Sequence, residues 1–145
     1  MNAARIPGAR RIAFRFGLTG RRWGDAGPVV LMLHGGDAPP WVLAQLIEPL
    51  VAAGRQVIAL DDPTEASADD AARIGEYGNA AVEAAVELRS LESVVGHGLG
   101  AAAAATALAL GLPAERSVML GAGTATNTEE ILDSLLDRKA LRLAA

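Results

Sequence analysis

Val94-Val95-Gly96-His97-Gly98-Leu99-Gly100, followed by Ala101-Ala102-Ala103-Ala104-Ala105, decides how this chain reads. A β-branched pair feeds a turn with three glycines in five positions, and an alanine-rich segment of high helix propensity follows. The stretch predicts a buried strand from Glu92 to Gly96, a sharp turn, and a helix from Leu99 to Leu110 stopped by Gly111 and Pro113. Junctions of this kind are where α/β proteins place their ligands. From Gly98 to Leu112 there is no charge. Alanine dominates, however, and the run falls short of the ~18 apolar residues that a membrane span needs, so it reads as a helix buried against a sheet.

Upstream of the turn, strands and helices alternate. Val29 to Leu33 is a continuous apolar run between turn signals, the pattern of a central parallel strand covered on both faces, and it ends in His34-Gly35-Gly36-Asp37. Glycines at the carboxyl end of such a strand let backbone N–H groups face a ligand. After Pro39-Pro40, residues Trp41 to Ala53 carry Val42, Leu43, Leu46, Ile47, Leu50 and Val51 at helical spacing, with Gly54 as C-cap and Trp41 as a core or lid aromatic. Gln56 to Leu60 is the next strand and closes in Asp61-Asp62-Pro63, two acids that suit either Mg²⁺ or acid/base work, or simply an extended strand-end loop. Ser67 and Asp70 have the spacing of a capping box, which predicts a helix from about Ala68, broken at Gly75 to Gly78 and resuming from Asn79 to Leu88.

Two further regions complete the pattern. Ile12, Phe14 and Phe16 alternate with Arg11, Ala13 and Arg15, which predicts an edge hairpin of Arg11 to Phe16 and Leu18 to Trp23. Residues 1 to 24 hold six arginines and no acid, while the other residues hold all seventeen acids. A transit peptide or a phosphate-binding arm would also fit that arginine bias, but the strand periodicity favours a charged sheet edge. Beyond the glycine turn, Arg116 to Leu120 reads as a strand and Gly121 to Asn127 as a loop. Thr128 caps a last helix whose Glu129 and Glu130 complement its dipole at one end and whose Arg138, Lys139 and Arg142 complement it at the other.

Composition narrows the function classes. The 145 residues are 51% hydrophobic and 21% charged, ordinary for one globular domain. There is no cysteine, so neither a thiol nucleophile nor a Cys-based metal site is available, and with only His34 and His97 no metal-ligand cluster is expected. A net charge of −4 argues against a general nucleic-acid binder. No secretory h-region is present, and a cytoplasmic location without membrane attachment is expected.

The order strand, His34-Gly35-Gly36, helix, strand ending in Asp61-Asp62-Pro63, helix, strand, Val95-Gly96-His97-Gly98-Leu99-Gly100-Ala101, helix, strand resembles the amino-terminal two-thirds of an α/β-hydrolase domain. The likeness runs from about Phe14 to Gly121 and is nearest to bacterial esterase-like hydrolases with a V-G-H-S-L-G-A elbow. It implies an α/β fold with a mostly parallel sheet of about six strands, an antiparallel amino-terminal hairpin and helices on both faces, ending before the family's last strands. It also implies a single domain over residues 1–145, with 1–10 loosely held and a terminal helix over 128–143 covering the sheet edge.

Carried over to this chain, the resemblance makes the Gly36 and Leu99 N–H groups oxyanion donors, puts His34 and His97 at the ligand site, and places Gly98 at the nucleophile position. No catalytic residue is then intact. The elbow lacks a hydroxyl, Thr64-Glu65 stands where the family usually has His-Gly, and no histidine follows residue 97. The resemblance therefore points to a silent or truncated serine-hydrolase-like domain, a pseudoenzyme without cofactor, that binds a small acyl or carboxylate ligand or a protein partner. An ester hydrolase completed by a partner chain is the alternative. Gly96, Gly98 and Ala101 also fit a G-x-G-x-x-A dinucleotide fingerprint, but that motif belongs after the first strand of its unit and needs an acid at the next strand end, where Leu120-Gly121 stands. If Arg116 to Leu120 is an apolar edge, a two-fold homodimer is expected.

Overall fold

The computed structural model describes residues 8–35, 41–65, 68–121 and 127–137. Six strands form one sheet: β1 (Arg10–Ala13), β2 (Thr19–Trp23), β3 (Val29–Leu33), β4 (Gln56–Leu60), β5 (Leu91–His97) and β6 (Arg116–Leu120), in the order β1-β2-β4-β3-β5-β6. β1 and β2 form an antiparallel hairpin, β2 joins β4 antiparallel, and β4, β3, β5 and β6 run parallel. The helices are α1 (Trp41–Ala52), α2 (Asp70–Val86), α3 (Leu99–Ala109) and α4 (Thr128–Leu136). None of the described helices is long and apolar enough to cross a membrane.

The unbroken apolar run of β3 is explained by its position. It lies between β4 and β5, all five residues are buried, and alternate side chains serve opposite cores. Val30 and Met32 join Trp23, Val57, Val95 and Leu120 under α1 and α4, with Leu46, Ile47, Leu50, Ile131 and Leu135 from the helices. Val29, Leu31 and Leu33 join Ile58, Leu60 and Val94 under α2 and α3. On that second face the helices contribute mostly alanines, Ala80, Ala81 and Ala84 from one and Ala103, Ala104 and Ala107 from the other, so that the two pack closely on each other and on the sheet.

The chain order places a crevice. From β3 it passes through α1 to β4 on one side, and from β5 through α3 to β6 on the other. Because α1 and α3 cover opposite faces, the connections leaving the carboxyl ends of β3 and β5 diverge, and this topological switch point is where open α/β sheets bind ligands.

Several local expectations are corrected. Helix α2 is continuous through Gly75 and Gly78. It starts at Asp70, with the Asp69 carboxylate accepting the Ala72 N–H at 2.8 Å, and Ser67 of the expected capping box lies outside the described residues. The first hairpin strand ends at Ala13. Phe16 sits in a short 3₁₀ turn (Arg15–Gly17) at φ 64° and is 80% exposed, because the chain must reverse there to bring Leu18 under the sheet. Trp41 is 52% exposed, not a core aromatic, since it opens α1 on the side away from the sheet. Asn127, not Thr128, caps α4, accepting the Glu129 and Glu130 N–H groups, while the Thr128 hydroxyl donates to Gln45 Oε1. The helix expected over 128–143 ends at Leu136, where Asp137 turns the chain at φ 55°, and Arg138, Lys139 and Arg142 lie outside the described residues.

Gly75 and Gly78 explain why one helix tolerates two glycines. A Cβ at Gly75 would meet open space, whereas one at Gly78 would lie 2.9 Å from the Ala103 carbonyl oxygen and 2.9 Å from Thr106 Cγ2 on α3. The two positions should therefore respond with opposite sign. In chemical denaturation, Gly75→Ala is expected to stabilise by about 0.5–1 kcal/mol through helix propensity. Gly78→Val is expected to destabilise by about 2 kcal/mol by wedging α2 from α3.

Candidate functional site

The crevice is bounded by the chain leaving β3 at His34-Gly35 and the chain leaving β5 at His97-Gly98-Leu99. Leu33 pairs with Gly96, which brings the two exits level on adjacent strands, and Gly96 pairs in turn with Met119 of β6. Gly98 has φ 59° and ψ −125°, a conformation that L side chains rarely adopt, and it stands as N-cap of α3. The first helical turn carries N–H groups without intrahelical partners, and Leu99 opens it.

The other two glycines of the motif serve close approach. A Cβ at Gly96 would stand 2.5 Å from the Gly100 carbonyl oxygen and 2.6 Å from Ala101 Cα, so the helix turns back directly over its own strand. A Cβ at Gly100 would stand 2.1 Å from the Leu33 carbonyl oxygen and 2.8 Å from His34 N, so the backbone of α3 rests on the end of β3. Gly35, at φ 68°, faces Leu99, whose Cβ is 3.0 Å from where its own Cβ would be. Sharp turn, close return and strand contact together make a tight strand-to-helix elbow with glycine at its apex.

His34 is buried at the end of β3, and His97 is the partly buried last residue of β5. Leu99 and Gly98 lie at the start of α3. Gly36, the other expected oxyanion donor, lies outside the described residues. Among the described residues no group of three or more His, Asp or Glu side chains could hold a metal ion.

A set of polar residues behind the β3 turn escaped the sequence reading. The Tyr77 hydroxyl, fully buried on α2, accepts the His34 N–H at 3.0 Å and donates to the Leu60 carbonyl at 2.5 Å. Burial raises its pKa far above the ordinary 10.0, against the lowering effect of the His34 and Gly35 N–H groups, so it is a neutral hydroxyl at any physiological pH. Asp62, at the end of β4, is committed as well. Its Oδ1 accepts the Thr64 N–H at 2.9 Å and the Thr64 hydroxyl at 2.5 Å, and its Oδ2 accepts Arg73 Nη2 at 2.9 Å. Arg73 also donates through Nε to Thr64 Oγ1 at 3.1 Å and through Nη2 to the Gly35 carbonyl at 3.4 Å. The neighbouring Asp61 accepts the Thr19 hydroxyl at 2.7 Å. The two strand-end acids thus tie the end of β4 to β2, to Thr64 and to α2.

Burial alone would raise the Asp62 pKa, but the Thr64 hydrogen bonds and Arg73 outweigh it and hold the carboxyl below its ordinary 3.8. A carboxyl with a depressed folded-state pKa stabilises fully above its unfolded value and loses that contribution as the pH falls through the folded one. Asp62→Asn is therefore expected to cost about 2 kcal/mol in melts at pH 7, where Arg73 is left without its counter-ion. The gap from wild type should persist down to about pH 4 and close below it.

No protein-family model matches this sequence, and no curated protein matches it. Solved structures do. The thioesterase domain from the curacin biosynthetic pathway is similar at 23% identity and a TM-score of 0.55, over 89% of this chain and 50% of its own length. An epoxide hydrolase from Vigna radiata is similar at 21% identity and 0.56, over 75% of this chain and 38% of its own. A dienelactone hydrolase-like promiscuous phosphotriesterase from metagenomic libraries is similar at 16% identity and 0.54, over 73% of this chain and 55% of its own. The chain thus spans about half the length of these proteins or less. At such identities the likeness is one of fold, and it agrees with the sheet order, the amino-terminal hairpin and the glycine elbow: the chain carries the α/β-hydrolase fold.

Proposed function

We propose that this chain is a catalytically silent hydrolase-fold domain that holds a small acyl or carboxylate ligand at the elbow and does not turn it over. Gly98 is the observation that carries the reading. It occupies the apex of an elbow whose other features are kept: the strained dihedral angles, the close return over Gly96, and the contact of Gly100 with β3. An elbow with no hydroxyl at its apex lacks the attacking group but keeps Leu99 in the first turn of α3, where an N–H has no intrahelical partner, and in this reading a carboxylate takes the place there that an oxyanion takes in a hydrolase. The thioesterase, epoxide hydrolase and phosphotriesterase named above support the fold on which this reading rests, not a substrate. A protein partner presenting a carboxylate is the other occupant that this chemistry admits.

A second reading is an ester hydrolase whose acid and base come from a partner chain. That arrangement still leaves Gly98 where the hydroxyl is needed. Self-association follows from a separate observation. The β1 edge carries exposed Arg10 and Arg11, whereas β6 has exposed Ser117 and a Met119 that is 39% exposed. The one charged residue of β6, Arg116, is tied to Glu92 and Asp137, so charge guards the β1 edge more than the β6 edge, and a two-fold dimer through β6 is the expected closed form. Light scattering across a concentration series should show a dimer that Met119→Lys dissociates.

Gly98→Ser tests the silent reading. Serine must adopt the dihedral angles that glycine accepts freely, so its melting point should fall by the equivalent of about 1–3 kcal/mol. Because neither His34 nor His97 is expected where the family's base enters the site, the variant should show at most a single slow acylation by a nitrophenyl ester. Repeated turnover at rates typical of esterases would mean that an acid and a base are already in place, and the silent reading would be wrong.

A further inference from the structure

We infer that Tyr77 and Arg73 are positioning residues for the ligand-binding turn after β3, an inference that rests on the elbow reading above. The last rung of the β3–β4 ladder is Leu33 with Leu60. Beyond it the strands part, and the next donor on one side, His34 N–H, and the terminal acceptor on the other, Leu60 C=O, are both met by the single hydroxyl of Tyr77, at 3.0 and 2.5 Å. A hydroxyl is one of the few side-chain groups that takes a donor and offers one at the same atom, so it can stand between two diverging strands and satisfy both. One residue on, Arg73 reaches the Gly35 carbonyl at 3.4 Å while its charge is held by Asp62 at 2.9 Å. Two side chains one turn apart on α2 thereby fix consecutive residues of the turn, His34 by its N–H and Gly35 by its C=O.

What they fix bears on the elbow. Gly35 lies against Leu99, and His34 N lies 2.8 Å from where a Cβ of Gly100 would be, so any shift of the turn changes its separation from the first N–H groups of α3. Neither Tyr77 nor Arg73 need touch a ligand to control its affinity. They set how closely the β3 turn and the α3 terminus converge, and a site that binds through backbone N–H groups depends on that spacing.

Tyr77→Phe removes one oxygen and keeps the ring in its buried position. Hexanoate serves as the carboxylate probe, and Leu132→Ala, in the core on the other face of the sheet, serves as a destabilised control. Amide hydrogen exchange at His34, Gly35 and Leu99 is expected to rise more in Tyr77→Phe than in the control once both are compared at equal global stability. Hexanoate affinity is expected to fall about tenfold in Tyr77→Phe and stay near wild type in the control. Arg73→Lys, which keeps a charge for Asp62 and loses the fork that reaches Gly35, should give the same signature more weakly, and it decides the matter if Tyr77→Phe does not fold. Exchange at the turn no faster than in the control, in both variants, would overturn the inference whatever the ligand result. If wild type itself fails to bind hexanoate, the elbow reading fails, and the exchange comparison still decides whether the two residues position the turn.

Discussion

The backbone of α3 rests on the end of β3, with no room for a side chain between them. A single Cβ at Gly100 would fall 2.1 Å from the Leu33 carbonyl oxygen, and one at Gly96 would fall inside the return of the helix over its own strand. From this contact the rest follows. It holds α3 down on the sheet, which demands small residues along the helix and explains the alanines at 103, 104 and 107. It brings the exits of β3 and β5 to one level at the switch point, and it leaves Gly98 at the apex in a conformation that costs other residues energy. Gly96 and Gly100 are required by packing, whereas Gly98 is required only by its dihedral angles.

Much of the architecture was legible because burial on both faces leaves a strong trace. Val29 to Leu33 and Gln56 to Leu60 stand out as apolar runs because both cores draw on them. The elbow was legible because close backbone approach admits almost nothing but glycine. Helix α2 was misread for a related reason: Gly78 looks like a breaker along the sequence, and only the position of Ala103 and Thr106 on the neighbouring helix shows that it is a packing residue. Phe16 was misread because strict alternation does not reveal where a hairpin turns, and a 3₁₀ turn at positive φ took over before the strand pattern ran out.

At the site, position was legible and support was not. His34, His97, Gly98 and Leu99 all lie at the carboxyl end of the sheet as their motifs indicated. Tyr77 and Arg73 carry no motif. Their partners in the β3 turn are backbone atoms 43 and 38 residues away, and a lone tyrosine in a helix reads as core until its hydroxyl is seen to bridge two strands. Asp62 was noticed as a strand-end acid, but its role depends on Arg73 and Thr64, and spacing alone does not separate a committed carboxylate from a reactive one.

The proposed function makes the elbow a binding surface with no hydroxyl at its apex. The most direct measurement is a titration of the wild-type chain with hexanoate followed by backbone amide NMR. The account predicts saturable shifts that are largest at Gly98 and Leu99 and extend to the β3 turn around Gly35. Saturable shifts confined to another surface, or none at millimolar ligand, would contradict it.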